Sequence, residues 1–490
     1  MIKYFSQLKT KFSKAKILVI GDIILDAYIE GHSNRISPEA PIPIIEANSY
    51  RYVPGGAGNV VNNLNALGAK STLIGLIGKD QEAEILKNIF KKENVSLRGL
   101  IKSNRPTTLK TRVIGDNQQL VRIDREETQP ANKKEESQIL IQIAKLIKKK
   151  LCDGIIVSDY AKGVINKNIM KTIIKLAKKE KIAVFVDPKN KDFSIYNGAD
   201  IIKPNLKEAI SASKLSNLDG SDNSTIEKMG KQLLKMSKAK GILISRNKYG
   251  LSLIQKNETF HYKTQALEVS DVSGAGDTLT SIFALCASIN LPYSICSELS
   301  NIGAGLVVQK QGTATISVEE LLKQLHKTHA HISKTSSSER NALKQLIDME
   351  KSLGNKIVFT NGCFDLLHVG HVKLLEESKK CGDILIVAIN SDKSVKKLKG
   401  PQRPLIQEND RARILLGLEA VDYVVIFDEG TPKNLLRLLQ PDILVKGGDY
   451  SHDQVVGYEI VEKYGGKIKL INLVDGKSTT NTLNKILKNP

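Results

Sequence analysis

The sequence predicts an α/β fold that is built twice, as two separate domains. Short β-rich runs alternate with longer amphipathic stretches in two blocks of the chain, which is the pattern of parallel strands joined by crossover helices. The length of 490 residues also exceeds what one hydrophobic core usually serves. A polar segment lies between the two blocks. We therefore expect two α/β domains, each with its own core.

The N-terminal block carries the first set of predicted strands, which longer helix-like stretches separate: Lys16–Gly21, Gly154–Val157, Ala183–Val186, Ile201–Ile202 and Gly241–Ile244. Two more β-rich segments, near Pro41–Glu46 and Lys110–Ile123, interrupt this alternation. We expect these two segments to form a small antiparallel β lid.

The polar segment His326–Glu339 follows a helix-like stretch and ends in Ser-Lys-Thr-Ser-Ser-Ser-Glu, a composition typical of linkers. From Lys356 the alternation restarts, with a second set of predicted strands: Ile357–Thr360, Ile384–Asn390, Tyr423–Phe427, Ile443–Lys446 and Lys467–Ile471. The predicted organisation is a domain at 1–330, a linker region at 331–355 and a second domain at 356–490.

The composition predicts a cytoplasmic protein without a membrane segment. Hydrophobic residues make up 41% and charged residues 26% of the chain, which is ordinary for a soluble protein, and no apolar run approaches the roughly 18–20 residues that span a bilayer. The apolar run Ile17–Ile20 is shorter than the roughly 7–15 residues of a signal-peptide core. The cysteines show no Cys-x-x-Cys pair and are expected to be reduced: Cys152, Cys286, Cys296, Cys363 and Cys381.

The formal net charge of +21 raises the alternative of a nucleic-acid-binding regulator. The lysines lie mostly in helix-like stretches such as Ala144–Lys150 and Met170–Lys181, where they read as solvated faces. Aromatic residues for base stacking make up only 5% of the chain. We expect no nucleic-acid partner, and anionic phosphorylated substrates would benefit from the same positive field.

The first chemical motif is Asp271-Val-Ser-Gly-Ala-Gly-Asp277, followed by an apolar helix-like stretch. Small residues at a helix N-terminus let backbone N–H groups converge on phosphate oxygens, and here these residues are Gly274, Ala275 and Gly276. Asp277 at its edge is suited to take a proton from a substrate hydroxyl. The alternative is a glycine-rich turn whose aspartate only caps the helix.

Two further motifs support a phosphotransfer role for the first one, because they combine glycine backbone with carboxylates, and such groups suit the binding of a polyol. They are Val53-Pro-Gly-Gly-Ala-Gly-Asn59, which contains Gly55 and Gly56, and the opening Gly21-Asp22-x-x-x-Asp26. Together the three motifs resemble the ribokinase family, also called the PfkB carbohydrate kinases, over roughly residues 1–330.

That resemblance implies a ribokinase-like α/β domain with a small β lid. It implies that Asp22, Asp26, Gly55, Gly56 and Asn59 bind sugar and that Asp277 is the catalytic base. It also implies that an Asn-x-x-Glu element, matched here by Asn205 and Glu208, helps to place Mg-ATP together with the Asp271–Asp277 motif.

Three other segments resemble the heptose 7-phosphate kinases within that family: Arg35-Ile-Ser-Pro-Glu-Ala-Pro41, Ser158-Asp-Tyr-Ala-Lys-Gly163 and Asp187-Pro-Lys189. Arg35, Lys162 and Lys189 are suitable partners for a sugar phosphate. Any one of these side chains is also compatible with an ordinary surface position.

The second chemical motif is Thr360-Asn-Gly-Cys-Phe-Asp-Leu-Leu-His-Val-Gly-His371, directly after a predicted strand. At a strand-to-helix turn, the spacing of His368 and His371 lets both imidazoles face one phosphate chain. The alternatives are a metal site or two surface histidines, but no Cys or third His follows at ligand spacing. Cys363 has no neighbouring base and is expected to have a packing role.

The second motif resembles the His-x-Gly-His nucleotidyltransferases, over roughly residues 356–490, and implies a Rossmann-like nucleotidyltransferase α/β domain. In that superfamily the two histidines stabilise the transition state at the α-phosphate of the nucleotide. The resemblance implies a set of nucleotide-binding residues: Thr360, Asn361, Gly362, Phe364, Asp365, Lys397, Lys399, Arg411, Ser478, Thr479 and Thr480.

The order of the two domains, together with Val445-Lys-Gly-Gly-Asp-Tyr450, resembles the bifunctional heptose kinase/adenylyltransferases of Gram-negative bacteria. Leu473-Val474 stands where glycerol-phosphate cytidylyltransferases carry Arg-Thr, so CTP is disfavoured as donor. The alternative enzyme is a cytidylyltransferase fused to a fructose-type kinase. The resemblance implies ATP and heptose phosphates as substrates, Mg²⁺ that enters with the ATP phosphates, and a homodimer. Metal binding by His326, His329 and His331 is not expected, because no carboxylates accompany them.

Overall fold

The computed structural model describes residues 8–93, 95–116, 118–149, 151–215, 220–264, 270–310, 312–328, 332–333, 340, 343–344, 347–348, 350–351, 354–448 and 451–471. Its described residues form two compact units, one within Gln7–Leu325 and the other within His326–Pro490. Both units are α/β, which confirms the predicted fold class. Among the described helices, none combines the length and apolarity needed to cross a bilayer.

The first unit contains thirteen described strands. They are β1 (Lys16–Gly21), β2 (Ile23–Ile36), β3 (Pro43–Gly56), β4 (Lys70–Ile77), β5 (Leu100–Lys102), β6 (Thr108–Gly115), β7 (Gln118–Arg125), β8 (Gly154–Ser158), β9 (Ala183–Asp187), β10 (Ile201–Ile202), β11 (Gly241–Ser245), β12 (Leu251–Gln255) and β13 (Thr259–Tyr262). Its described helices are α1 (Leu8–Lys14), α2 (Ala57–Ala66), α3 (Gln81–Lys92), α4 (Lys133–Lys148), α5 (Lys167–Glu180), α6 (Leu206–Ser213), α7 (Asn223–Ser237), α8 (Ala275–Ser288), α9 (Tyr293–Val307) and α10 (Val318–Thr328).

The main sheet of the first unit has nine strands in the order β13-β12-β11-β10-β9-β8-β1-β4-β5. All neighbouring pairs are parallel except β11 with β12 and β12 with β13. The chain reverses its direction of progress across the sheet between β1 and β8. Ligands of open α/β sheets bind at such a point, beyond the carboxyl ends of the strands.

The lid differs from the prediction. It is a four-stranded sheet in the order β3-β2-β6-β7, and the pair β2 with β6 is parallel rather than antiparallel. Strand β2 was not predicted because its first six residues are all buried and it follows β1 after a single residue, so that no turn signal separates the two strands in the sequence. The segment Lys110–Ile123 divides into two strands at a turn where Asp116 has φ +49°.

The described part of the second unit consists of one parallel sheet with helices. Its strands are β14 (Ile332–Ser333), β15 (Ile357–Gly362), β16 (Ile384–Asn390), β17 (Tyr423–Phe427), β18 (Ile443–Gly447) and β19 (Lys467–Ile471), in the order β14-β17-β16-β15-β18-β19. Its described helices of six or more residues are α11 (Val369–Lys379), α12 (Asp392–Lys399), α13 (Glu408–Leu416), α14 (Lys433–Leu439) and α15 (Tyr458–Lys463). The strand order reverses between β15 and β18, so a ligand site is expected at the carboxyl ends of these two strands.

Part of the region predicted as a linker packs onto the second unit. Leu343 and Ile347 are 3% and 0% exposed and belong to its hydrophobic core. Arg340 makes a two-pronged ion pair with Glu429, at 2.7 and 2.9 Å. These contacts begin before residue 356, because Leu343 and Ile347, four positions apart, both pack into this core. The boundaries 1–330, 331–355 and 356–490 remain a proposal.

Candidate active sites

The N-terminus of α8 in the first unit holds the glycine-rich motif. Gly274 is the N-cap residue and has φ +80°, a left-handed conformation that glycine adopts without strain. Ala275, Gly276 and Asp277 form the first turn, and the helix beyond them is buried from Asp277 to Cys286. The turn therefore presents its backbone N–H groups and the positive end of the helix dipole at one place.

Asp277 is buried and is held by two neutral donors. The Asn59 Nδ2 group donates to Asp277 Oδ2 at 2.7 Å, and the Tyr160 hydroxyl donates to Asp277 Oδ1 at 2.9 Å. Burial, and next the negative charge of Asp187, raises the pKa of Asp277 to about 7, although Asn59, Lys203 and Tyr160 act in the opposite direction. A carboxylate with a pKa near neutrality is a suitable proton acceptor at physiological pH.

A cavity of about 740 Å³ opens beside this turn, a size that suits a nucleotide. Its walls come from the carboxyl ends of several strands and from α8 and α9, and they include Tyr160, Asp187, Lys189, Lys203, Asn205, Glu208, Ala275 and Gly276. The structure thus brings the predicted Asn-x-x-Glu element and the α8 turn to one cavity.

Asn205 and Glu208 bind each other at the start of α6. Asn205 Oδ1 accepts from the Glu208 backbone N–H at 2.9 Å, and Glu208 Oε2 accepts from the Asn205 backbone N–H at 2.9 Å. This capping box orients both side chains. Lys189 Nζ donates to Glu208 Oε1 at 2.9 Å, so Lys189 lies beside the Asn-x-x-Glu element in the same cavity.

Asp271 shapes the loop before the turn. Its oxygens accept from the backbone N–H groups of Ser273 at 2.8 Å and Gly312 at 3.0 Å. It therefore holds two loops together beside Gly274.

Gly55 and Gly56 let the chain pass close to the two early aspartates. A Cβ on Gly55 would lie 2.2 Å from Asp26 Oδ2, and a Cβ on Gly56 would lie 2.5 Å from the Asp22 carbonyl oxygen. Gly56 also has φ +56°. Asp26 is buried and accepts from Arg112 Nη1 at 2.5 Å. Glycine at both positions is required for this close approach.

Both oxygens of the Asp22 carboxylate accept hydrogen bonds from backbone N–H groups. It accepts from the N–H groups of Tyr160 at 2.8 Å, Lys162 at 3.0 Å and Val164 at 3.1 Å. The sequence predicted direct contact with substrate. These bonds hold the loop that carries Tyr160, and the contact of Asp22 with sugar stays a prediction.

The two remaining cations predicted for the sugar phosphate are bound to carboxylates of the first unit. Lys162 Nζ lies 2.5 Å from Glu126 Oε1 with 16% of its side chain exposed. Arg35 Nε lies 3.6 Å from Glu46 Oε1 on the lid, with 65% of its side chain exposed. Only Lys162 lies in the same loop as Tyr160 and the donors to Asp22.

The second motif forms a strand-to-helix turn between β15 and α11. His368 is the N-cap residue of α11, and His371 lies in its first turn. The two imidazole rings stack at a centroid distance of 3.9 Å and an interplanar angle of 23°. The centroid of the Phe364 ring lies 5.0 Å from that of the His371 ring. Both histidines thus face one place at the positive end of a helix.

His371 has a pKa lowered to about 4 by burial, and next by the charges of His368 and Lys399. The imidazole is therefore neutral at pH 7 when no anion is present. A phosphate chain beside it would favour the protonated form, because an opposite charge stabilises the imidazolium.

The loop at the end of β15 is anchored from β18. Lys446 Nζ donates to the Asn361 carbonyl oxygen and to Asn361 Oδ1, both at 3.1 Å. Thr360 is fully buried on β15. A Cβ on Gly362 would lie 2.9 Å from the Phe364 ring, so glycine lets Phe364 fold back over the strand end.

Asp365 holds the segment around Arg403. It accepts from Arg403 Nη1 at 2.5 Å and from the backbone N–H groups of Leu405 at 2.7 Å and Ile406 at 3.2 Å. Asp365 is 2% exposed, so in the structure it anchors this loop to the end of the β15 turn.

Arg411 is 1% exposed, and its guanidinium donates hydrogen bonds to other groups of the protein. It donates to the carbonyl oxygens of Ile406, Cys363 and Asn390 at 2.9, 2.5 and 2.8 Å, and to Asp392 Oδ1 at 2.7 Å. The sequence predicted phosphate support. The structure shows three loops of the site tied together by one side chain.

Lys397 and Lys399 are exposed at the end of α12. Ser478, Thr479 and Thr480 lie outside the described residues, as do His329, His331, Asp449, Tyr450, Leu473 and Val474. Cys363 Sγ lies 3.7 Å from Asn390 Oδ1. All five cysteines carry free thiols, as predicted.

Sequence reasoning assigned no role to four residues that the structure places in the sites. Tyr160 contacts Asp277, Arg112 contacts Asp26, Lys203 contacts Asp187 at 2.7 Å, and Lys446 contacts Asn361. Tyr160 and Lys446 lie within the motifs Ser158–Gly163 and Val445–Tyr450. Lys203 could have been found from its position in the sequence, because it directly follows β10 and ligand sites of parallel sheets lie at the carboxyl ends of strands.

Comparison with known proteins matches each of the two units to a family. Residues 14–321 match the pfkB family of carbohydrate kinases, and residues 359–478 match the cytidylyltransferase-like family. "Bifunctional protein HldE" of Geotalea uraniireducens is 43% identical over 487 residues, covering 99% of this chain and 98% of that protein. HldE of Aliarcobacter butzleri is 42% identical, covering 97% and 98%, and HldE of Syntrophotalea carbinolica is 41% identical, covering 98% and 97%.

Solved structures share the ribokinase fold. A ribokinase of Arabidopsis thaliana, solved with ribose and ATP, is 18% identical with a TM-score of 0.51, covering 64% of this chain and 99% of that one. Phosphofructokinase-2 of Escherichia coli, solved with potassium, is 19% identical with a TM-score of 0.52, covering 63% and 97%. At these identities the likeness concerns the fold.

Proposed function

This chain belongs to the HldE family of bifunctional proteins, and from that membership we propose that it catalyses two ATP-dependent steps toward an ADP-activated heptose. The first unit phosphorylates D-glycero-D-manno-heptose 7-phosphate at its anomeric hydroxyl and yields heptose 1,7-bisphosphate. The second unit transfers the adenylyl group of ATP to heptose 1-phosphate and yields ADP-D-glycero-D-manno-heptose, for the lipopolysaccharide core.

The buried Asp277 is the observation that carries the kinase proposal: it follows Gly276 and binds Tyr160, and both of these residues line the 740 Å³ cavity. Asp277 takes the proton of the anomeric hydroxyl while the hydroxyl oxygen attacks the γ-phosphorus and ADP leaves. The N–H groups of the α8 turn stabilise the phosphoryl charge, as donors at helix N-termini do. Asn59 and Tyr160 hold the carboxylate in one orientation. Asp26 and the glycine pair Gly55 and Gly56 form the proposed sugar wall.

Magnesium fits the nucleotide cavity. Among the described residues no cluster of three or more His, Cys, Asp or Glu side chains is arranged to hold a metal, but Mg²⁺ in such sites needs only one or two carboxylates beside phosphates and waters. Asp187 and Glu208 both line the cavity and are the proposed carboxylates. When bound, Mg²⁺ neutralises phosphate charge during transfer.

The second reaction needs no general base, because the sugar phosphate is already an anion at neutral pH. Its oxygen attacks the α-phosphorus of ATP in line, and pyrophosphate leaves. The stacked pair His368 and His371 donates to the phosphate oxygens, and Lys399 adds positive charge, so catalysis rests on positioning and charge stabilisation. Lys397, Asn361 and the segment 478–480 complete the proposed nucleotide site.

The test is to incubate the pure protein with heptose 1-phosphate and each of ATP, CTP, GTP and UTP, and to identify the nucleotide sugar by mass spectrometry. We expect ADP-heptose from ATP. CDP-heptose as the main product would favour the cytidylyltransferase alternative. A parallel incubation of heptose 7-phosphate with ATP is expected to yield the 1,7-bisphosphate.

We also propose a homodimer that works in the cytoplasm, where ATP is available for both steps. The lid supports the dimer, since its outer strand β7 is exposed along its length and carries Leu120, Val121 and Ile123 at 43%, 49% and 57% exposure. Exposed apolar strands of this kind mark interaction surfaces. Light scattering is expected to give twice the 53.9 kDa chain mass, and a monomer at micromolar concentration would contradict the proposal.

A further inference from the structure

A buried ion pair, Lys203 with Asp187, lies at the N-terminus of α8. Lys203 Nζ donates to Asp187 Oδ2 at 2.7 Å and to the Gly276 carbonyl oxygen at 3.2 Å. The side chains of Lys203 and Asp187 are 6% and 13% exposed. Asp187 Oδ2 also accepts from Thr280 Oγ1 at 3.1 Å. Desolvation of an ammonium is costly, which makes its position in this cavity informative.

The ammonium lies against the glycine of the α8 turn. A Cβ built on Gly276 would lie 3.0 Å from Lys203 Nζ, and among the described residues no other atom outside the two chain neighbours and the α8 backbone lies within 4 Å of it. The Lys203 side chain therefore fills the space beside the turn that receives phosphate. A lysine is a compact charge that suits a phosphate oxygen, and its third donor is free to turn toward the cavity that it lines.

We propose that Lys203 is a catalytic residue of the kinase, whose ammonium contacts the transferred γ-phosphoryl group of ATP while Asp187 holds it in place. This inference rests on the proposed kinase function. Lys203 transfers no proton in the step. The bond from the γ-phosphorus to the ADP oxygen breaks, the bond to the sugar oxygen forms, and the sugar proton goes to Asp277.

Lys203 also acts on the base. The groups that face Asp277 are Asn59 from α2, Tyr160 after β8, Asp187 at the end of β9 and Lys203 after β10. Among them Asp187 raises the pKa of Asp277, whereas Asn59, Lys203 and Tyr160 lower it. Loss of the Lys203 charge is therefore expected to move the acid limb of the kinase pH profile to higher pH.

The experiment compares Lys203→Met with the wild-type protein and with Lys240→Met. Lys240 also pairs with a carboxylate of the first unit, Asp200, at 2.6 Å, but its side chain is 71% exposed. For each protein we would measure the kinase kcat, the dissociation constants of ATP and ADP, and the acid limb of the kinase pH profile. For Lys203→Met we expect kcat to fall about 10²–10³-fold and the preference for ATP over ADP to fall about tenfold or more. Lys240→Met is expected to match the wild type.

A folded Lys203→Met protein with kcat within about threefold of the wild type would overturn the inference, and so would an equal loss of ATP and ADP affinity. If Lys203→Met does not fold, Asp187→Asn is compared with Asp187→Asn plus Lys203→Met, since the double variant leaves no buried carboxylate without its ammonium partner. The ratio of ATP to ADP affinity is expected to drop on loss of Lys203 in this background, and an unchanged ratio refutes the contact. A wild-type protein that phosphorylates no heptose 7-phosphate would refute the proposed function instead, while the affinity ratio still decides the Lys203 contact.

Discussion

The hydroxyl of Tyr160 donates a hydrogen bond of 2.9 Å to the carboxylate of Asp277, 117 positions away in the sequence. Because the neutral donor stabilises the ionised carboxylate, it lowers the pKa of Asp277 against the larger effect of burial. The loop that carries Tyr160 is held in turn by Asp22. The base of the proposed kinase is therefore placed by side chains from three separate parts of the chain.

Tyr160→Phe is expected to raise the pKa of Asp277 above its value of about 7. Since the base must be ionised to accept a proton, the acid limb of the kinase profile moves to higher pH, and kcat at pH 7 falls about two- to tenfold. At pH 9 the two proteins are expected to converge. A loss of activity that is the same at every pH would contradict this role for Tyr160.

Asp277→Asn is expected to lower kcat for heptose 7-phosphate phosphorylation by about 10²–10⁴-fold, because the amide accepts no proton. Adenylyl transfer by the second unit is expected to stay at the wild-type level in the same preparation. Residual kinase activity close to the wild type would remove Asp277 from the mechanism.

The same variant makes a prediction about stability. The folded-state pKa of Asp277, about 7, lies above the ordinary value of 3.8, so its contribution is present below the ordinary value and is lost as pH rises through the folded pKa. Asp277→Asn removes this dependence. Its melting temperature is expected to equal the wild type's below the ordinary pKa of 3.8 and to exceed it by a growing margin up to the folded pKa of about 7, as measured by calorimetry from pH 3.5 to pH 8. A lower melting temperature at pH 8 would show that the ionised carboxylate is compensated in the fold.

Much of this site was predictable, because glycine-rich turns and the residues around them report local backbone geometry. The sequence predicted the α8 turn with Asp277 and the strand-to-helix turn with His368 and His371, and each forms in the structure. The partners across the sheet were not predictable. Tyr160, Asp187 and Lys203 meet because parallel strands end at one edge, which depends on strand order.

The sequence also did not show what each buried charged side chain binds. An aspartate or arginine in a motif is compatible with contact to ligand and with contact to backbone, and Asp22 and Arg411 both bind backbone groups. The lid differs for a related reason. The parallel pairing of β2 with β6 joins residues roughly 84 positions apart, as Ile24 with Thr108, and no local pattern records it.

His371→Ala is expected to reduce ADP-heptose formation by about 10²–10³-fold, since it removes one donor to the phosphate charge. Heptose 7-phosphate kinase activity is expected to stay unchanged. The matched control is His452→Ala, an exposed histidine of the same unit that pairs with Glu462 at 3.1 Å, and it is expected to keep both activities. Normal pyrophosphate release by His371→Ala would withdraw the assignment of the His-x-Gly-His site.

ATP binding to the second unit is expected to take up a proton. The pKa of His371 is about 4 without ligand, and phosphate oxygens stabilise its protonated form. Calorimetric titration near pH 5.5 in two buffers of different ionisation enthalpy measures the uptake, which His371→Ala is expected to abolish. Equal heats in both buffers for the wild type would mean that the imidazole stays neutral in the complex.

The two activities are expected to separate when the chain is divided, but the point of division matters. A fragment of residues 1–333 is expected to fold and phosphorylate heptose 7-phosphate, since the first unit has its own core. A fragment of residues 350–490 lacks Leu343 and Ile347, which are buried in the second unit, and also lacks Arg340, which lowers the pKa of Glu429 to about 2. A fragment of residues 331–490 keeps all three.

We therefore expect both C-terminal fragments to make ADP-heptose at low temperature, with the shorter one less stable by about 3–6 kcal/mol, the cost of leaving two large apolar side chains unburied. Urea denaturation of the two fragments measures the difference. Leu343→Ala in the longer fragment serves as an intermediate, expected to lose about 2–5 kcal/mol. Equal stability of the two fragments would show that the segment before residue 350 covers the sheet without stabilising it. Loss of adenylyl transfer from a folded 331–490 fragment would show instead that the first unit completes the second active site.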